Sequence, residues 1–217
     1  MNLVIAIDGP AAAGKGTLAR RLADHYGLAY LDSGSLYRGT ALSLLRQGQY
    51  NPLEGSPGET AAVAAAQGLQ PEILADPELR AEATGALASK VAAIPAVRAA
   101  LLDWQRGFAA TPPAGKQGAV LDGRDIGTVV LPDARVKFYI TASDEARAMR
   151  RFRELQGKGE NAIYARVLED MRERDSRDTA RSTAPMRPAE DALIIDTSAL
   201  DADQVFRLAQ DHVDQRI

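Results

Sequence analysis

Leu3-Val-Ile-Ala-Ile-Asp8-Gly9-Pro10-Ala11-Ala12-Ala13-Gly14-Lys15-Gly16-Thr17 is the stretch that decides the fold. Its first six residues are a short, nearly continuous apolar run ending in a turn, the pattern of a parallel strand buried on both faces. The next eight are rich in glycine and alanine. From Thr17 onward, Leu18, Leu22 and Tyr26 recur at helical spacing until Gly27 stops them. Strand, glycine loop and helix in that order turn backbone amides and a helix N-terminus toward an anion, with Lys15 able to reach its outer phosphates. By composition, the Gly-x4-Gly-Lys core should arise by chance roughly 0.03 times in a chain of this length with 18 glycines and five lysines. The competing reading is a glycine turn that happens to contain a lysine.

Outward from this unit, short apolar runs recur at 29–32, 117–122, 136–141 and 192–196, each followed by polar or helical sequence. Five strands alternating with helices predict a parallel α/β sheet with right-handed crossovers. Ser33 is expected to cap a helix running through Leu36, Thr40 and Leu44 to Gly48. A polar, turn-rich connection covers 49–58. The alanine-rich segment after it predicts helices over about 59–67, 77–93 and 96–109, with Pro95 separating the last two. Charged helices are expected at 144–157 and 161–178, hinged at Gly157 and Gly159, and an amphipathic helix at 201–213 closes the chain.

Composition bounds the chemistry. The 217 residues are 46% hydrophobic, 25% charged and 5% aromatic, which excludes a disordered chain and a structural repeat. No apolar run reaches the roughly 18 to 20 residues needed to cross a bilayer, and no cationic leader precedes the first strand, so a cytoplasmic protein without a membrane partner is expected. There is no cysteine, which removes thiolate catalysis and cysteine metal sites. With two histidines, His25 and His212, read as surface groups, a metal would need oxygen ligands. The net charge of −3 argues against a nucleic-acid surface. Yet 21 of the 26 cations are arginines, whose planar forks suit phosphate and carboxylate, and ten of these fall within 144–187 beside nine acids.

The form Gly14-Lys15-Gly16-Thr17, with a glycine where a strict P-loop has Ser or Thr directly after lysine, resembles nucleoside monophosphate kinases such as adenylate kinase. Four further elements narrow the class. Asp32-Ser33-Gly34-Ser35-Leu36-Tyr37-Arg38 resembles the Asp-Ser-Gly-x-x-Tyr-Arg element of bacterial cytidylate kinases. Ser89-Lys-Val-Ala-Ala-Ile-Pro95-Ala-Val-Arg98 and Asp122-Gly-Arg124-Asp125-Ile-Gly-Thr128 resemble two more elements of that family, and Arg174-Asp-Ser-Arg-Asp178-Thr-Ala-Arg181 supports them. The resemblance runs from Gly9 to about Pro185. It implies a P-loop kinase fold: core 1–32, 111–143 and 188–217, monophosphate-binding region 33–110, and lid 144–187. Many members carry a small β insert before the Ser89 element; here 67–88 is short and reads mostly as helix.

The resemblance also implies roles. Gly9, Pro10, Ala11, Ala12, Ala13, Gly14, Lys15, Gly16, Thr17 and Arg151 would bind ATP, and Lys15, Arg124 and Arg174 would act at the transferred phosphoryl group. Ser33, Tyr37, Arg38, Ser89, Arg98, Arg124, Asp125, Arg174, Asp178 and Arg181 would bind CMP. Asp122, at a strand end, either holds Mg2+ through water or caps the next turn. Arg147, Arg150, Arg151 and Arg153 either close on ATP phosphates or pair with acids at helical spacing: Asp144 with Arg147, and Glu154 with Arg150 or Arg151. Tyr37, Trp104 and Phe108 read mainly as packing residues, with Tyr37 also lying within a family element that lines the acceptor site. The expected activity is phosphoryl transfer from MgATP to CMP or dCMP by a monomer. Another small P-loop kinase, or a nucleotide switch, is the alternative, although a switch needs no arginine lid and the guanine-reading Asn-Lys-x-Asp is absent.

Overall fold

A computed structural model describes residues 3–50 and 58–217; most of the polar connection read at 49–58, and the two residues before the first strand, lie outside them. The five strands are β1 (Leu3–Asp8), β2 (Ala29–Asp32), β3 (Gly118–Asp122), β4 (Val136–Thr141) and β5 (Leu193–Asp196), in the sheet order β2-β3-β1-β4-β5. β1 pairs in parallel with β3, from Leu3 opposite Gly118 to Ile7 opposite Asp122, and with β4, from Ile5 opposite Val136 to Asp8 opposite Tyr139. β4 and β5 are also parallel. The carboxyl ends of β1, β3 and β4 therefore stand level, at the edge where open α/β sheets bind ligands.

By its contacts the chain divides into two units, one of residues 1–31 and 109–217, the other of 32–108. In the first, α1 (Lys15–Tyr26) and α8 (Ala202–Asp214) lay Leu18, Leu22, Val205, Ala209 and Val213 over Ile5, Ile7, Val120, Phe138 and Ile140. The continuous apolar runs of the inner strands are what burial on both faces requires: β3 is buried at all five positions. Asp201 caps α8 through the amides of Asp203 and Gln204, in a capping box with Gln204. His212 lies half-buried with its ring 5.2 Å from that of Phe138, not on the surface as expected, and burial lowers its pKa. α6 (Asp144–Gly157) and α7 (Tyr164–Thr179) complete this unit.

The second unit holds α2 (Ser33–Arg46), α3 (Glu59–Gln67), α4 (Glu82–Val91) and most of α5 (Pro95–Ala110). Two expectations change here. Asp32, not Ser33, is the N-cap of α2, and its side chain makes no capping bond; Ser35 Oγ donates to the Asp32 carbonyl at 2.5 Å instead. The single helix read over 77–93 is a 3-10 turn (Pro77–Arg80) and then α4, and a second 3-10 turn occupies Pro71–Ala75. Ala81 between them is extended, at φ −63° and ψ 149°, because Asp76 caps the turn before it and Thr84 Oγ1 bonds back to the Glu78 carbonyl. Periodicity ran across that break because alanine fits both states. No single helix among the described residues is long and apolar enough to cross a membrane.

One buried acid ties the sheet to the loop after β3. Asp8, 2% exposed, accepts the amides of Ile126 and Gly127 through its two carboxylate oxygens, each at 2.7 Å. Burial pushes its carboxyl up to about 6; the two amides pull it down, Asp125 adds to the rise, and Lys15 opposes it. An acid with a raised folded pKa makes the native state bind the extra proton, so its contribution to stability falls as pH rises. Over the roughly two units between its ordinary and folded values, wild type should lose about 3 kcal/mol relative to Asp8→Asn between pH 4 and 7. Paired urea titrations check this, and a pH-independent difference would refute it.

Candidate active site

The chain leaves β1 at Gly9 with φ 137°, and a Cβ there would stand 1.9 Å from the Ile140 carbonyl oxygen, so glycine alone fits. Gly14, at φ 101°, caps α1 without any side-chain bond, and no acid lies in the first turn of that helix. Its N-terminal amides thus have no side-chain cap, an arrangement that suits an anion. Helix starts at Lys15 rather than Thr17. Lys15 is 7% exposed and donates from Nζ to the Pro10 carbonyl at 2.7 Å, which folds its ammonium back over the loop. Ala12 adopts the left-handed conformation at φ 57°, a posture that costs a non-glycine residue about 1 kcal/mol and persists only where neighbours hold it.

Those neighbours are partly the arginines expected in a lid. Arg147 is 4% exposed and donates to the carbonyls of Ala142 (3.1 Å) and Ala11 (3.3 Å), while ion pairs tie it to Asp144 and Asp175. Arg150 reaches Thr197 Oγ1 at 2.9 Å and the carbonyls of Ala12 and Ala13 at 3.4 and 3.5 Å, and makes no pair with Glu154. Arg151 takes Glu154, at 2.8 Å. Glu145, without a partner on its own helix, meets Arg172 of α7 at 3.2 Å. Ala11 and Ala12 pack on an apolar cluster of Ala148, Phe152, Val167, Leu168 and Met171.

At the end of β3, Asp122 is 6% exposed, takes the Tyr30 hydroxyl at 3.4 Å, and directs Oδ2 to within 3.5 Å of where a side chain on Gly16 would begin. One carboxylate beside a phosphate loop suits Mg2+, which keeps water and substrate phosphates as most of its ligands. No cluster of three or more acidic or histidine ligands exists among the described residues. Thr17 lies exposed in the first turn of α1.

Past Asp122, Arg124 Nε donates to Asp178 at 3.0 Å and its NH1 to the Gly123 carbonyl at 3.2 Å, and Arg181 pairs with the other oxygen of Asp178. Asp178 is 1% exposed. Burial pushes its carboxyl upward, but Arg124, Arg181 and Arg174 together hold it below the ordinary range. The four residues from the Asp122 and Arg174 elements thus meet around one carboxylate. Asp125 is buried beside them in sequence, at 5% exposure.

In the second unit, Tyr37, Ser89 and Arg98 are buried. The Arg98 guanidinium lies 5.5 Å over the Tyr37 ring and donates to the Ala92 carbonyl at 3.3 Å. Ser89 Oγ is buried without a hydrogen-bond partner among the described residues. Arg38 donates to the Leu79 carbonyl at 3.1 Å and passes Gly85, where a Cβ would come within 2.9 Å of NH1. Ser33 is buried at the start of α2. Trp104 and Phe108 stack with centroids 6.4 Å apart.

Asp8 and Thr197 are the residues that sequence reasoning missed. Asp8 was readable as the one charge ending an apolar strand; nothing in the order of residues connects Thr197, 184 positions away, to the Ala13 carbonyl it bonds at 2.9 Å.

A parallel sheet with a glycine loop and lysine at its carboxyl edge defines a P-loop nucleotide-binding fold. The cytidylate kinase family profile matches residues 5–215. The cytidylate kinase of Paramagnetospirillum magneticum is 60% identical over 209 residues, 96% of each chain, and that of a Methylobacterium species 59% identical over 214 residues, 99% of this chain and 98% of that one. A crystal structure of an uncharacterized protein from Eubacterium ventriosum superposes with TM-score 0.55 at 14% identity, covering 99% of both chains, which speaks to fold alone. The chain belongs to the cytidylate kinase family, and is an ATP-dependent nucleoside monophosphate kinase.

Asp178→Asn removes the buried negative charge that pairs with Arg124 and Arg181. Loss of one partner from a buried pair typically costs 3–5 kcal/mol, so a destabilisation of about 3 kcal/mol at pH 7 is expected by urea unfolding. A change below about 0.5 kcal/mol would mean that the arginines do not depend on this carboxylate.

Proposed function

We propose that the chain moves the γ-phosphoryl group of MgATP to CMP or dCMP, giving CDP or dCDP and ADP, with the residues implied by the family elements in the roles stated for them. The observation that carries the reading is the Asp178 cluster, where three guanidinium charges act on one buried carboxylate in the unit that holds the phosphate loop. Guanidinium groups held in place by a buried carboxylate suit a phosphate anion, which a nucleoside monophosphate supplies. Arg38, Arg124 and Arg174 hold the acceptor phosphate in this reading; Ser33, Tyr37, Ser89, Arg98, Asp125, Asp178 and Arg181 hold its nucleoside. The buried, partnerless Ser89 hydroxyl supports its assignment to the base. Cytosine presents an amine and two acceptors, which a carboxylate and cationic donors satisfy together.

The chemistry needs position and charge more than acid–base groups. An acceptor phosphate oxygen, already anionic, attacks the γ-phosphorus in line; the bond to the β–γ bridging oxygen breaks, and its electron pair leaves with ADP. No general base is required. Lys15, Arg124 and Arg174 stabilise charge on the group in transit, and residues 9–17 with Arg151 hold the donor. Asp122 would hold, through water, the Mg2+ that accompanies ATP, and the ion would supply positive charge to the phosphates. We place the enzyme in the cytoplasm, as a monomer working on free nucleotides, with residues 144–187 as the lid.

Lys15→Met should fold normally and lower turnover at least about a hundredfold, the usual worth of one preorganised contact to developing charge. ADP-release assays on the folded variant check this, and near wild-type turnover would remove the mechanism. The same assay with CMP, dCMP, UMP, AMP and GMP tests the acceptor. Arg181→Met should weaken CMP use strongly with ATP affinity nearly unchanged, and the wild type should favour CMP over UMP by about 30-fold or more, since each mismatched buried polar group costs roughly 1–3 kcal/mol. Loss of ATP binding with normal CMP affinity would move Arg181 to the donor site.

A further inference from the structure

Three consecutive carbonyls of the phosphate loop are held from outside by groups distant in sequence. Arg147 NH1 donates to Ala11 O at 3.3 Å, Arg150 NH1 approaches Ala12 O at 3.4 Å, and Thr197 Oγ1 donates to Ala13 O at 2.9 Å. The peptide unit is planar and trans, so the N–H that shares a plane with each carbonyl points the opposite way. Holding the carbonyls of Ala11, Ala12 and Ala13 outward therefore aims the amides of Ala12, Ala13 and Gly14 inward, toward the anion. Without such anchors each plane is free to rotate, and a loop with a left-handed alanine at 12 has reason to relax.

Thr197 sits at the centre of this arrangement. It is 3% exposed and directly follows β5. Its amide donates to Thr141 O at 2.8 Å, which fixes it to the end of β4. Its hydroxyl accepts from Arg150 NH1 at 2.9 Å, leaving the single hydroxyl proton for a carbonyl: Ala13 at 2.9 Å is closer than Thr141 at 3.1 Å. Arg150 also bonds the Thr197 carbonyl. The hydroxyl thus relays the Arg150 charge to the loop and polarises the Ala13–Gly14 peptide.

We propose that Thr197 is a positioning residue for the donor nucleotide, acting through the Ala13 carbonyl to hold the Gly14 amide against the phosphates of ATP. The proposal rests on the ATP-dependent kinase reading and adds to it a residue outside the motif elements. It predicts a loss confined to the donor: the hydrogen bonds of Thr197 go to Ala13, Thr141 and Arg150, none of them assigned to the acceptor.

The test uses the whole protein and two near-isosteric variants. Thr197→Val keeps the shape and removes the hydroxyl; Thr197→Ser keeps the hydroxyl and removes the methyl. Calorimetric titration with ADP, without acceptor, should show Thr197→Val binding about tenfold more weakly than wild type, the usual worth of one hydrogen bond, and Thr197→Ser within about threefold. In steady-state assays Thr197→Val should raise KM for ATP with KM for CMP unchanged. Because ADP titration needs no turnover, a wild type that failed to phosphorylate CMP would overturn the acceptor reading and leave this measurement intact. Wild-type ADP affinity in Thr197→Val, or an equal loss in Thr197→Ser, would overturn the positioning role.

Discussion

Gly9 lets the chain leave β1 directly against β4, where any side chain would run into the Ile140 carbonyl. Everything at the carboxyl edge of the sheet follows from that turn. Because the loop starts inside the sheet rather than above it, the two residues flanking it are buried: Asp8 before the turn and Lys15 after it. A buried acid needs donors and a buried ammonium needs acceptors. The acid finds the amides of Ile126 and Gly127, the ammonium the Pro10 carbonyl. The first of these bonds does more than satisfy a charge, since it anchors the turn that directly follows Arg124 and Asp125.

Two buried carboxylates in the first unit are kept in opposite ways. Asp8 has dipoles, with Asp125 opposing its charge, and its carboxyl rises toward neutrality. Asp178 has three guanidinium groups, and its carboxyl is held ionised despite equal burial. The difference is useful to a kinase. Around Asp178 the arginines are held by a buried carboxylate, Arg124 and Arg181 through ion pairs. Preorganised charge of this kind costs no rearrangement during transfer.

The 144–187 segment shows how a charge pattern underdetermines its use. Both readings of its arginines, lid cations and helical ion pairs, are compatible with the spacing. The structure divides them: Arg151 pairs along α6 with Glu154, whereas Arg147 and Arg150 turn their guanidinium groups onto the phosphate loop carbonyls. An apolar cluster joins α6 and α7 to Ala11 and Ala12. Arginine suits the inner role because its fork serves several acceptors at once: four from Arg147 and, counting the Thr197 hydroxyl and carbonyl, four from Arg150.

The sequence by itself determined the class. Apolar runs at 3–8, 118–122 and 136–141 announce inner parallel strands because both of their faces are covered, and the glycine loop announces an anion because only its spacing with Lys15 makes chemical sense. The helices α1, α6, α7 and α8 were legible for the same reason, each having one buried stripe at a steady period. The break at Ala81 was not, since alanine carries no preference strong enough to mark it and the Asp76 and Thr84 bonds that impose it are local geometry. Nor was the convergence of Arg124, Asp178 and Arg181, or of Arg150, Thr197 and Ala13, legible from order along the chain. Hydrogen bonds and ion pairs act over about 3 Å, while Arg124 and Asp178 lie 54 positions apart, Arg150 and Thr197 47, and Thr197 and Ala13 184. Only the parallel sheet, by bringing the ends of β1, β3, β4 and β5 to one edge, decided which polar groups meet there.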